Sequence, residues 1–149
     1  MSAPAASGST LPLPCGPAAD GNDAAFWEGL RDGRLVLPRC TACGTWREPG
    51  RVICAECWSF ASEWAGVSAR GRVFTWCRSQ RDFMDDLDVL APYDTVVVAL
   101  DDVPVRLLGL LVDDVEEAPA IGQVVVGAIV QPANAAWPVL RWARTEGAR

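Results

Sequence analysis

The chain has 149 residues, half of them hydrophobic, which is enough for one modest core with a small satellite module and too little for two large domains. A net charge of −6 and a pI near 4.6 argue against a nucleic-acid partner, because neutralising phosphates needs a basic surface. No apolar run approaches the roughly 20 residues that span a bilayer, so no membrane partner is expected.

Residues 1–22 are rich in Ala, Pro, Ser and Gly and carry no basic charge, which predicts a flexible tail rather than a secretory signal, and a cytoplasmic protein. A short helix is predicted from Ala24 to Arg31, capped by Asn22 or Asp23, with Phe26 and Leu30 one turn apart and Gly33 as its stop. Leu35–Leu37 reads as a strand leading into Cys40, and a turn-rich stretch follows to Cys57. From Ser62 onward, extended segments alternate with turn signals. The predicted strands are Glu63–Ala69, Arg72–Gln80, Thr95–Asp101, Val105–Val112, Gln123–Val130 and Val139–Ala143, with a tight turn at 101–104. That many short strands in so few residues predicts a small closed or partly closed barrel, for which the OB-fold is the common solution, with an open sandwich as the alternative. The expected organisation is a tail over 1–22, helix and cysteine-rich ribbon over 23–61, and a barrel domain over 62–149, in a mainly β fold.

The strongest chemical signal is Cys40-x2-Cys43, ten residues, then Cys54-x2-Cys57. Two such pairs converge on one ion, and four thiolates in a tetrahedron suit structural Zn²⁺, with no position open for water or substrate. A ribbon this small also needs a metal to replace the core it lacks. Iron uses the same ligands in a rubredoxin-like site, although the spacer here is short for it. Disulfides conflict with a cytoplasmic setting, and a redox motif calls for one pair at a helix start. Cys77 reads as a small buried hydrophobe on its strand.

Two absences bear on catalysis. The chain has no histidine, and all 13 basic residues are arginine. It therefore lacks both the side chain that titrates near neutrality and the amine that forms Schiff bases. Arg70, Arg72, Arg78 and Arg81 form a local basic excess in an acidic chain, suited to the phosphates of coenzyme A or to a partner, and Phe74 and Trp76 lie on the same strand. The competing assignment makes the aromatics core and the arginines a solvated edge. Asp82, Asp85, Asp86 and Asp88 read as a solvated loop without calcium-loop spacing.

Several segments stand in order along the chain: Phe26-Trp27-Glu28-Gly29-Leu30, Gly33-Arg34-Leu35, Arg39-Cys40-Thr41-Ala42-Cys43-Gly44, Cys54-Ala55-Glu56-Cys57-Trp58, Trp64 and Gly71-Arg72-Val73-Phe74. Together they resemble a family that joins a short N-terminal helix, a rubredoxin-like zinc ribbon and a C-terminal OB-fold, and that is associated with acyl-CoA metabolism. The chain departs from the family at Glu48-Pro49-Gly50-Arg51, where Pro-Pro-Arg is usual, and at Ala55, where proline often stands; neither touches a ligand. The resemblance implies a non-catalytic accessory subunit of a hetero-oligomer. Its partner would be a thiolase-like enzyme of the sterol-carrier-thiolase or aldolase type, or an acyl-CoA hydratase, in lipid or steroid side-chain metabolism. The subunit would stabilise that partner and help to hold the CoA ester. A nucleic-acid-binding ribbon and barrel is the alternative that both folds allow, and the acidic balance counts against it.

Overall fold

In the computed structural model, which describes residues 11–113 and 115–145, one helix and seven strands make a ribbon module and a closed barrel. The helix α1 covers Ala24–Arg31, as the sequence predicts. Its start differs in detail, because the Asp23 carboxylate does not cap the helix. It accepts hydrogen bonds from the Ala18 amide (2.8 Å) and from Nε1 of Trp27 (2.9 Å). Its end is a Schellman turn: Gly33 N–H donates to Leu30 (3.0 Å), Arg34 N–H donates to Gly29 (2.8 Å), and Gly33 takes the required φ of 76°.

The strand β1 (Val36–Cys40) pairs antiparallel with β2 (Ser62–Gly66), from Val36 opposite Gly66 to Cys40 opposite Ser62. The strand expected near 63–69 as part of the barrel therefore belongs to the ribbon's sheet. The barrel is built from β3 (Arg70–Ser79), β4 (Tyr93–Leu100), β5 (Arg106–Leu111), β6 (Val124–Val130) and β7 (Val139–Arg144). Its strand order is β3-β4-β5-β7-β6, with β6 closing back onto β3 and a parallel step only between β5 and β7. This is the OB-type Greek-key closure, which leaves no long open edge.

Alternation along β4 explains the barrel's interior: Asp94, Val96, Val98 and Leu100 are all buried. Val96, Val98 and Leu100 join Val73, Leu107, Leu111, Val125 and Trp142 in one cluster, to which Leu35 and Leu37 from the ribbon side also belong. Each fully buried Leu contributes about 2 kcal/mol of transfer free energy, so the ribbon and barrel share one core. Gly71 is needed where β3 crosses β4, since a Cβ there would lie 2.2 Å from the Ala99 carbonyl oxygen.

A bulge between Val73 and Thr75 shifts the register of β3. Before it, Gly71 and Val73 face inward; beyond it, Trp76 and Arg78 are the more buried residues, and Cys77 is exposed. Cys77 is thus not the buried residue that strict alternation suggests. The aspartate-rich loop is also less solvated than its composition implies. Asp88 pairs with the buried Arg141, and Val89 is buried beside it.

Of the expected tail, residues 1–10 lie outside the described residues. Residues 11–16 run along the 131–137 segment: Leu13 N–H donates to Asn134 (2.9 Å), and Cys15 Sγ lies 3.6 Å from the Trp137 carbonyl oxygen. The Arg31 guanidinium stacks 3.6 Å from the centre of the Trp137 ring. Among the described residues, no helix is long and apolar enough to cross a membrane.

Candidate metal centre and barrel face

The two cysteine pairs sit in turns with the same hydrogen-bond pattern. In the first, Cys40 N–H donates to Thr45 (2.8 Å) and Gly44 N–H donates to Cys40 (2.9 Å); in the second, Cys54 N–H donates to Ser59 (3.0 Å) and Trp58 N–H donates to Cys54 (3.0 Å). Each turn points its two sulfurs the same way. The result is one cluster in which the Sγ atoms of Cys40, Cys43, Cys54 and Cys57 all lie within 4.8 Å of one another. Cys40–Cys57 and Cys43–Cys54 are each 3.6 Å apart. A tetrahedron with Zn–S bonds of about 2.3 Å has S···S edges of about 3.8 Å, so the geometry fits the ion. Cys40 and Cys54 are buried and Cys43 and Cys57 exposed, which places the site at the module's rim.

The electrostatics also favour a dication. The Cys43 amide is the main influence on Cys40; with help from Arg47 it outweighs burial and lowers that thiol to about 6. The amides of Cys57 and Glu56 lower Cys54 in the same way. The Ser59 amide pulls the Cys57 thiol down, but Cys43, burial, Cys40 and Cys54 push it up to about 12. Four sulfurs so close cannot all ionise unaided, and a bound Zn²⁺ supplies the missing charge. These cysteines form a rubredoxin-like zinc-ribbon site.

Arg47, which composition alone does not single out, is 3 % exposed at the ribbon's centre. It donates to the carbonyls of Val52 (2.8 Å), Ser59 (3.1 Å) and Ala61 (2.9 Å). One guanidinium thereby ties both flanks of the second knuckle to the first. Among the tryptophans near the ribbon, Trp46 packs on the core, Trp64 is half-buried and Trp58 is exposed.

The six residues expected to meet coenzyme A or a partner divide at the bulge. Arg70, Arg72 and Phe74 are exposed on the outer face of β3. Arg70 lies 3.4 Å from Asp101, Arg72 donates to the Gly122 carbonyl (3.1 Å), and Arg106 of β5 stacks 3.7 Å from the centre of the Phe74 ring. Trp76 packs against the core. Arg78 makes two 2.8 Å hydrogen bonds to the buried Asp94 carboxylate, which raises its pKa. Arg81 is exposed at the start of the next loop. Arg106, which stacks on Phe74, also lines an open cleft of about 570 Å³ between ribbon and barrel, together with Trp46, Glu48, Arg51 and Val103 among others.

Residues 27–63 match the family model of the ChsH2 rubredoxin-like zinc ribbon domain. Among solved structures, a chain of an Ltp2-ChsH2(DUF35) aldolase is similar over 86% of this chain and 98% of its own length, with a TM-score of 0.74 and 25% identity. A protein of unknown function from the DUF35 family of Sulfolobus solfataricus shares the fold, at a TM-score of 0.57 and 19% identity over 87% of each chain. A probable enoyl-CoA hydratase alpha subunit of Thermomonospora curvata is 38% identical over 55 residues, 36% of this chain. The match spans 17% of that relative's length.

Proposed function

We propose that this chain, a ChsH2-type zinc ribbon fused to an OB-type barrel, is an accessory subunit that binds and stabilises an acyl-CoA-processing enzyme. The partner is a thiolase-like protein of the aldolase type or an acyl-CoA hydratase, acting on lipid or steroid side-chain esters in the cytoplasm, where thiolate ligands stay reduced. The observation that carries this reading is the likeness over nearly the whole length of a chain from an aldolase named for two proteins. The absence of histidine and lysine from the sequence agrees with it, because acid–base and amine chemistry then fall to the partner.

In this reading the ribbon unit runs from residue 23 through β2, and the barrel follows from β3. Contact with the CoA ester is assigned to the outer face, where Arg70, Arg72 and Phe74 lie near Arg106. Trp76 and Arg78 serve the barrel instead. The test is co-purification of the tagged chain from its native host in mild salt. Recovery of a thiolase-like or hydratase-like subunit in near-equal amount is the expected result. Recovery of the chain alone, folded and loaded with zinc, would overturn the reading.

A further inference from the structure

The loop over residues 80–92 joins β3 to β4, and its ends meet where Ser79 pairs with Tyr93. Three attachments fix its neck and far side. Asp82 Oδ1 accepts the Ala91 N–H (2.6 Å), and the Asp86 carbonyl accepts a hydrogen bond from Asn134 Nδ2 (2.9 Å). Asp88 pairs with Arg141, with Val89 buried alongside. A loop anchored in this way has inward positions available for its apolar residues. Phe83 and Met84 nevertheless stand outward, 78% and 48% exposed, with Leu90 also exposed. An outward Phe–Met pair on a tethered loop has the composition of an interface centre, where aromatics and Met are enriched.

Charge specifies what the tip fits. In sequence, Asp82, Asp85 and Asp86 flank Phe83 and Met84, with Arg81 the one cation directly adjoining them. We propose that Phe83 and Met84 form a prong that docks into an apolar pocket of a different protein subunit, rimmed by arginine and lysine. The acidic collar opposes docking onto another copy of this acidic chain and steers the tip toward a basic rim. The inference deepens the accessory-subunit reading, since that enzyme is the partner it names, but the geometry of the prong does not depend on which enzyme it is.

The test places a photo-crosslinking phenylalanine analogue at position 83 of the full chain in its native host and maps the crosslinked peptide. It is paired with binding of Phe83→Asp, Phe83→Leu and Asp85→Asn/Asp86→Asn to the crosslinked protein. The expected result is a crosslink in an apolar pocket flanked by Arg and Lys. Phe83→Asp should weaken binding at least about 30-fold, while Phe83→Leu stays within about fivefold. The double Asn variant should slow association about 3- to 10-fold and flatten its salt dependence. Circular dichroism and zinc content should match the parent, because the Phe83 ring is exposed.

Such a pocket on an acyl-CoA enzyme supports both the prong and the accessory role. The same pocket on a protein of another class keeps the prong and removes the accessory role. Crosslinks only to copies of this chain, no crosslink, or unchanged binding by Phe83→Asp overturns the prong. A thiolase-like subunit that still co-purifies through another surface would then leave the accessory role standing.

Discussion

Trp58 and Gly44 occupy the same place in their two turns. Each follows the second cysteine of its pair, each returns its N–H to the carbonyl of the first, and each has positive φ, 65° for Trp58 and 79° for Gly44. Glycine adopts that conformation freely, whereas an L side chain there costs about 1–2 kcal/mol. The Trp58 ring, 77% exposed, recovers little of that by packing.

Trp58→Gly is therefore expected to raise the stability of the zinc-loaded chain by about 1 kcal/mol, while Gly44→Val lowers it. Thermal unfolding at fixed zinc concentration measures both. A fall in stability for Trp58→Gly would mean that the ring makes a contact worth more than the strain.

Zinc affinity should depend on pH with a change of slope. Cys57, at about 12, carries a proton at neutral pH that the metal must displace, so affinity rises as pH rises. Cys40, at about 6, is already ionised above that pH and gives up no proton there; below it, one more proton must leave. The plot of log affinity against pH should steepen below about pH 6, as competition with a chromophoric chelator would record. Cys40→Ser or Cys54→Ser should abolish tight binding and unfold the ribbon.

Asp94 is 1% exposed and depends on Arg78 for its counter-charge. Arg78→Met should cost about 3–5 kcal/mol, because it leaves a buried carboxylate without a cation. Arg78→Met/Asp94→Leu should recover much of that loss. Denaturant unfolding of the three chains separates an unpaired charge from lost packing.

The outer face of β3 and β5 makes a separate prediction. Arg72→Ala/Arg106→Ala should weaken binding of coenzyme A about tenfold or more, with zinc content and unfolding unchanged. Calorimetry on the complex with its partner is the direct measurement. Equal affinity in parent and variant would remove this face from the CoA site.

Much of this architecture is legible in the sequence. The α1 range followed from its apolar spacing and Gly33, and the paired C-x-x-C motifs identified all four ligands, because metal spacing is local information. What escaped was non-local. One extra residue at the β3 bulge turned Cys77 outward and separated Phe74 from Trp76, and no periodicity announces such an insertion. The segment around residue 63 read correctly as a strand, but its partner was β1, with Glu63 opposite Arg39, and pairing is not written in a strand's own composition. Arg47 and the Asp88–Arg141 pair look like ordinary surface charges until the chain folds over them.

Because Leu35 and Leu37 of the ribbon side lie in the barrel's own core, the two modules cannot fail separately. A chain deprived of zinc would lose the ion that joins its two knuckles, and the ribbon leucines that cover the barrel's apolar interior would lose their anchor. Metal supply would then set the lifetime of the whole polypeptide, since proteases act on the opened form. A cell short of zinc would shed this subunit while every residue of the barrel's sequence remained intact.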